Sequence, residues 1–171
     1  ISVTMKQTVF EAMKMAEHGK TAAEIRDILE ATKFDSTIYI MVDTLTYLKK
    51  GGRITPAAAA LGTLLKLKPV LQIRGEKLDA FAKARTIKQA KQIMLDAIKT
   101  DMDQVLHDAD GKHTKIAMAH THNEEAIMQF KEEAQGIWPD HDIMVDPLSL
   151  SVSCHIGPGA LAVACSKAIP K

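Results

Sequence analysis

The stretch KKGGRI, residues 49–54, combines residue types that can bind an anion. Two adjacent glycines let the backbone turn sharply, which leaves uncovered N–H groups beside the planar guanidinium of Arg53. A guanidinium matches the geometry of a carboxylate or a phosphate. The alternative interpretation is a helix that ends at Gly51 and Gly52 and is followed by a solvated arginine, and the local sequence alone favours this alternative.

Two other stretches could also contact an anion. His155 precedes a turn with the sequence Gly-Pro-Gly, which could direct a ring N–H into a cleft or satisfy the ring within the turn itself. Arg85 directly precedes a helix that we expect to begin at Thr86, where a positive charge is unfavourable unless an anion neutralises it. Considered alone, Arg85 is more simply an exposed arginine that water screens.

The charges of the chain are unevenly distributed. Between Thr44 and Lys91 there are eleven basic and two acidic residues, a net charge of +9, whereas the rest of the chain has eleven basic and nineteen acidic residues, a net charge of −8. A basic segment on a nearly neutral chain suggests an anionic partner, such as a phosphate, a carboxylate, a lipid headgroup or an acidic protein. A solvated positive face without a partner explains the composition equally well.

Several functional classes lack support in the sequence. There is neither a P-loop nor a nucleophile elbow, and 4% aromatic residues provide no platform on which nucleobases could stack. His120 and His122 lack a third metal ligand and are interpreted as surface imidazoles, while Cys154 and Cys165 are interpreted as buried thiols rather than a bridge. No apolar run approaches the roughly 20 residues that span a membrane, so we expect a cytoplasmic protein without integral membrane association.

The elements that position these residues follow from the periodicity of apolar side chains. Helical spacing predicts an opening helix over residues 4–18 with Val9, Met13 and Ala16 on its apolar face, the side that normally packs against a core. Alternation of helices and strands predicts an α/β layered domain with a mixed β-sheet flanked by helices. Further helices are predicted at 44–50, 56–66 and 86–109, and two more are predicted to begin at Thr21 and Thr121. Strands are predicted at 36–43, on both sides of Gly75, and at 114–121, 142–150 and 160–166.

Two of the predicted helix starts have the spacing of a capping box. Thr21 is followed by Glu24, and Thr121 is followed by Glu124. In a capping box the threonine hydroxyl accepts a hydrogen bond from the N3 backbone N–H, and the N3 carboxylate accepts one in return. We therefore expect both threonines to be N-caps.

Taken together and in this order, these stretches resemble the DegV family of bacterial lipid-binding proteins. The resemblance implies a DegV-like C-terminal lobe, in which residues 1–35 are a helical lead-in from the family's middle region and residues 36–171 form the α/β lipid-binding lobe. The N-terminal lobe of the family is not part of this sequence. The matching runs are VDTLTYLKKGGRI (42–54), LLKLKPVL (64–71), a hairpin at Gly75, KARTIKQA (83–90) and HIGPGALAV (155–163).

The resemblance implies a protein that binds a long-chain fatty acid in an apolar tunnel and presents the carboxylate to a separate kinase, which forms an acyl phosphate. By this likeness the protein is no enzyme but a non-catalytic subunit of a fatty-acid kinase system, with no cofactor, metal or nucleic acid. His155 would donate a hydrogen bond to the carboxylate, and Arg53 and Arg85 would support phosphoryl transfer or kinase docking. Gly52 and Gly157 complete the implied ligand-binding set.

Two alternatives of other classes stay open. One is a phosphotransferase-type enzyme domain, although the sequence has neither a nucleotide-binding loop nor a cluster of metal-binding carboxylates. The other is an interaction module whose basic face docks a partner without any bound ligand.

Overall fold

The computed structural model describes residues 2–55, 67–75 and 77–169, and helices and strands alternate along these ranges. The predicted helix at 56–66 lies outside the described residues. The helices are α1 Ser2–Glu17, α2 Ala22–Thr32, α3 Thr46–Lys50, α4 Ile87–Gln104, α5 Glu124–Ile137 and α6 Leu150–Ile156. The strands are β1 Ser36–Met41, β2 Lys68–Arg74, β3 Lys77–Ala84, β4 Thr114–His120, β5 Met144–Pro147 and β6 Leu161–Lys167.

The strands form one mixed sheet in the order β3-β2-β1-β6-β4-β5, which confirms the predicted fold class. Among the neighbouring strands that the structure describes, only β4 and β5 are parallel, and the other pairs are antiparallel. As a result, the chain leaves β1, β3, β4 and β5 and enters β2 and β6 at the same end of the sheet. We call this the loop end, and all the candidate site residues lie in its connections.

The two faces of the sheet carry side chains of different size, because successive residues of a strand point to opposite faces. One face, which we call the core face, is packed by α4 and α5 and carries bulky residues such as Tyr39, Met118 and Val163. The opposite face carries alanines at alternate positions of the neighbouring strands β6 and β4. These alanines, together with Ile38 and Leu71, define the alanine face; they are Ala117, Ala119, Ala162 and Ala164. Their small side chains allow α1 to pack closely against both strands.

A buried hydrogen-bond network ties α4 to the core face. The Tyr39 hydroxyl donates to Asp101 Oδ2 (2.7 Å) and accepts from Gln72 Nε2 (3.0 Å), while Arg74 pairs with the other carboxylate oxygen. Burial, reinforced by the hydrogen bond to Asp101, raises the pKa of Tyr39. Burial also raises the pKa of the Cys165 thiol, from its ordinary 9.0 to about 12, so this cysteine is an inert thiol at neutral pH.

The predicted apolar face of α1 is wrong. Val9 and Met13 are 51% and 53% exposed, whereas Val3 and Met15 are buried. Helical periodicity identifies an apolar stripe, but it does not decide which side of the helix the sheet covers. The prediction of two buried cysteines is also wrong in part, since Cys154 is exposed.

Other differences concern the ends of elements. The strand predicted at 142–150 is confined to Met144–Pro147, and α6 begins at Leu150. The helix predicted at 86–109 ends at Gln104. The hairpin around Gly75 is confirmed by the antiparallel pairing of β2 with β3.

Candidate functional site

A cleft of about 840 Å³ lies on the same side of the sheet as the alanine face, above β1, β2 and β3, between α1, α2 and the α3–α6 pair. This volume is in the range of sites that bind small organic ligands. Ile38, Ile73 and Leu78 form an apolar floor. Arg53 and His155 line the cleft at the loop end, and Ser36, Ser166 and Lys167 line it at the opposite end.

The cleft reaches from Ser36, at the start of β1, to the loop end. Strand residues line it only in the half away from the loop end, and Leu48, Val152 and Ile156 of the α3–α6 pair line it nearer the loop end. At a rise of about 3.3 Å per residue, the six residues of β1 extend over roughly 16 Å. The hydrocarbon core of a bilayer contains two opposed acyl layers and is about 30 Å thick, so one acyl chain occupies about 15 Å of this thickness. The cleft is therefore of a suitable length for one acyl chain.

The roof of the cleft is partly polar, which differs from the fully apolar tunnel that the family resemblance implies. Thr4, Gln7, Thr8 and Glu11 of α1 line the cleft together with apolar residues. Glu11 is buried and accepts a hydrogen bond from Gln7 Nε2 (2.6 Å). The apolar run at residues 57–65 lies outside the described residues.

The glycine pair ends α3 in a Schellman motif. Arg53 N donates to Leu48 O (3.0 Å) and Gly52 N donates to Lys49 O (3.2 Å), with Gly52 in the left-handed conformation at φ +62°. These bonds satisfy carbonyls that the helix end would otherwise leave free. Arg53 is exposed, and its Nη1 donates to Gly51 O (3.0 Å). The helix-cap interpretation is thus confirmed, and Arg53 also lines the cleft.

His155 lies on α6 and packs against Gly51 of α3. A Cβ atom on Gly51 would be 2.5 Å from His155 Nδ1, and a Cβ atom on Gly157 would be 2.4 Å from the Tyr47 ring. Real Cβ atoms do not come so close to a neighbour, so only glycine permits this packing. The two glycine motifs predicted to act together therefore interlock, with the half-buried His155 ring between the helices.

Thr121 holds the turn that follows α6. Its hydroxyl donates to Gly157 O (2.6 Å) and accepts from Ala160 N (2.9 Å). The prediction of Thr121 as an N-cap is therefore wrong, and α5 has Asn123 at this position without a side-chain cap. The other predicted cap, Thr21 with Glu24, is confirmed as a capping box.

His120 is buried, which contradicts its interpretation as a surface imidazole, whereas His122 is exposed. His120 Nδ1 accepts a hydrogen bond from Asn123 N (3.1 Å), so a neutral His120 ring carries its proton on Nε2. Asn123 Nδ2 in turn donates to Gly159 O (3.2 Å). The sequence analysis interpreted His120 and Thr121 as a surface imidazole and an N-cap and not as a connected site, although a run of His, Thr and Asn directly after a buried strand is a recognisable signal.

Arg85 lies at the loop end but does not line the cleft. Its backbone N–H donates to Gln89 Oε1 (2.7 Å), and Thr86 caps α4 by accepting from Gln89 N (3.1 Å). The start of α4 thus has local hydrogen-bond partners, and no anion is needed to explain the position of Arg85. Its exposed side chain is available to a partner at the surface.

The cleft as a whole suits an amphiphile with an anionic head. Its apolar floor leads to a half-buried imidazole and a guanidinium, and both groups can donate hydrogen bonds to a carboxylate. In the described part of the chain, no three His, Cys, Asp or Glu side chains form a metal-binding group. None of the helices described there is long and apolar enough to cross a membrane.

Comparisons with known proteins agree with this description. The family model described as "Uncharacterised protein, DegV family" matches residues 1–168. The chain belongs to the DegV family. A DegV domain-containing protein of Clostridium perfringens is 31% identical to it over 156 residues, which cover 91% of this chain and 52% of the relative.

Solved DegV structures share the fold. A DegV family protein from Thermus thermophilus, described as binding fatty acid, matches with a TM-score of 0.81 and 28% identity over 95% of this chain and 56% of its own. Bacillus subtilis DegV, described as a fatty acid binding protein, matches with a TM-score of 0.77 and 27% identity over 94% of this chain and 55% of its own. The chain thus spans about half the length of these DegV proteins.

Proposed function

We propose that this chain binds a long-chain fatty acid in the cleft, with the acyl chain along its apolar floor and the carboxylate at the loop end. The observation that carries the proposal is the continuity of an apolar floor with His155 and Arg53 at one end. The fatty-acid binding of the Thermus and Bacillus relatives supports the same ligand class.

The typical free energies of the contacts in this cleft agree with an acyl ligand. Burial of each methylene contributes about 0.8 kcal/mol, so the acyl chain supplies most of the affinity. A hydrogen bond to a charged group contributes about 1.5–3 kcal/mol, so the carboxylate contact gives preference for the acid over neutral lipids. In this proposal His155 donates to the carboxylate, and Arg53 adds positive charge at the mouth.

The test is chemical identification of a bound ligand. The purified chain is extracted under denaturing conditions, and mass spectrometry measures the extract; we expect long-chain fatty acid near one equivalent. Protein freed of lipid is then titrated with palmitate and methyl palmitate, and the acid should bind more tightly. A protein that is empty and also fails to take up palmitate contradicts the proposal and favours the ligand-free interaction module.

We further propose that the bound carboxylate is presented to a separate kinase, with Arg53 and Arg85 at the contact. Both side chains are exposed, they belong to the +9 segment, and the connections that carry them meet at the loop end. A positive surface there would favour docking of an acidic protein face and would steady a phosphoryl group.

The kinase proposal predicts different effects on binding and turnover. Arg53→Ala and Arg85→Ala should slow acyl-phosphate formation by a fatty-acid kinase with ATP by about tenfold or more, with palmitate affinity within about threefold of the parent. Arg26→Ala is the matched control, because Arg26 is an exposed arginine of α2 outside the basic segment. If turnover is unchanged in both variants, the arginines belong to a solvated face and have no role in the contact with the kinase. Acyl phosphate formed without any kinase would instead favour the phosphotransferase alternative.

A further inference from the structure

We propose that Thr121 is the positioning residue that holds His155 toward the ligand carboxylate, through the turn at 157–160. The proposal rests on the proposed fatty-acid function and adds a residue that lies outside the motifs KKGGRI and HIGPG. Thr121 does not line the cleft, so it acts on the ligand only through the turn.

Thr121 contacts the turn through both its side chain and its backbone. The hydroxyl donates to Gly157 O (2.6 Å) and accepts from Ala160 N (2.9 Å). The Thr121 carbonyl accepts from Gly159 N (2.8 Å), and Thr121 N donates to Ala160 O (3.2 Å). Four hydrogen bonds from one buried residue therefore fix three of the four residues of the turn.

The position of His155 depends on this turn. Helix α6 has seven residues, of which Ile156 is buried and Val152 is partly buried against the same apolar cluster, so few of its own side chains hold it and the turn that follows contributes to its position. Its C-terminus runs directly into Gly157, whose N–H donates to Ser153 O and whose carbonyl is held by Thr121. The opposite side of the turn rests on Tyr47, since the ring occupies the space of a Gly157 Cβ. Movement of the turn therefore moves the last turn of α6, which carries His155.

The hydroxyl is the part of Thr121 that a substitution can test. Thr121→Val keeps the shape of the side chain and the backbone bonds, but it leaves Gly157 O and Ala160 N without their buried partner. Thr121→Ser restores the hydroxyl. Thr114→Val is the matched control, because Thr114 lies at the other end of β4, is buried and donates to Asp108 Oδ2 (2.7 Å).

The experiment measures affinity for palmitate and methyl palmitate, together with thermal melts, for the parent and the three variants. Thr121→Val should lose about tenfold in palmitate affinity and less than about threefold in ester affinity, because the carboxylate contact is displaced while the acyl site is kept. Thr121→Ser should recover the preference for the acid. Thr114→Val should melt at a lower temperature with its acid preference unchanged.

Two outcomes would overturn the proposal. If Thr121→Val and Thr114→Val lower stability alike and neither changes the preference for the acid, Thr121 is only a structural residue. If Thr121→Ser behaves like Thr121→Val, the hydroxyl is not what positions His155.

A third measurement separates this proposal from the fatty-acid function. If the parent protein binds no lipid, the fatty-acid function fails, and hydrogen exchange with NMR of the His155 ring then tests Thr121 without a ligand. In Thr121→Val the amide of Ala160 should exchange faster and the His155 ring signals should shift, whereas unchanged signals would overturn the role of Thr121.

Discussion

At the scale of single residues, His155 is the group that would distinguish an acid from a neutral lipid. Its ring is half-buried between α3 and α6 and lines the cleft at the loop end. A donor in this partly desolvated position forms a stronger bond with a carboxylate than it would in water. The apolar floor makes no such distinction, because it contacts only methylenes.

Removal of the imidazole should therefore reduce both affinity and selectivity. His155→Ala should weaken palmitate binding by about ten- to a hundredfold, the cost of a lost hydrogen bond of about 1.5–3 kcal/mol to a charged group, and should weaken ester binding less. Titration of the variant with both ligands measures this. His122→Ala, an exposed imidazole at the same end of the sheet, is the control and should bind like the parent. Equal palmitate affinity of His155→Ala and the parent would contradict the assignment.

At the scale of elements, two glycines allow α3 and α6 to pack in direct contact. Gly51 has an ordinary helical conformation at φ −78°, so its role is to leave space and not to adopt an unusual backbone. Gly157 is needed for its backbone conformation and for space, since it has φ +83° and faces the Tyr47 ring. The glycine motifs therefore determine where His155 lies, in addition to any direct contact with a ligand.

Gly51→Ala separates the position of His155 from the stability of the fold. The added methyl group would lie 2.5 Å from His155 Nδ1, so the ring must move, and 3.3 Å from Tyr47 O, a contact that a small shift relieves. The backbone conformation at φ −78° is an ordinary one for alanine. We expect palmitate affinity to fall about tenfold with a melting temperature close to that of the parent. Gly136→Ala on α5 has no atom within 4 Å of its new methyl group, so it should bind normally. Normal binding by Gly51→Ala would show that the ring position is not critical.

At the scale of the whole molecule, the two faces of the sheet have separate tasks. The core face buries Tyr39 and Met118 against α4 and α5 and supports stability. On the opposite side, α1, α3 and α6 cover the alanines, and the cleft lies beside them above Ile38, Ile73 and Leu78. Neighbouring residues of one strand can therefore belong to different functions, because their side chains point to opposite faces.

Ile38 and Tyr39 test this separation on adjacent positions of β1. Ile38→Trp would place a larger ring on the cleft floor and exclude two or three methylenes, each worth about 0.8 kcal/mol, so palmitate affinity should fall about tenfold or more. Tyr39→Phe should lower the free energy of unfolding by about 1–2 kcal/mol, because it removes a buried hydrogen bond to Asp101, and palmitate affinity should not change. Denaturant unfolding and ligand titration measure both. A loss of palmitate binding in Tyr39→Phe would show that the two faces are coupled.

The sequence by itself determined the class of fold and the segments that form the site. Strand and helix periodicity, the glycine pair after a basic helix and the Gly-Pro-Gly turn are local signals, since they depend on residues a few positions apart. These signals predicted the mixed sheet and the end of α3, whereas only the family resemblance implied that Arg53 and His155 belong to one site.

The tertiary structure alone decided which partners these residues have. Thr121 has the spacing of a capping box, yet its hydroxyl bonds Gly157, 36 residues away in sequence. Val9 and Met13 have the spacing of a buried face, yet both are more than half exposed, and Arg85 lies outside the cleft that Arg53 lines. A hydroxyl or an apolar stripe has several local options of similar free energy, and contacts between segments distant in sequence determine which one is adopted.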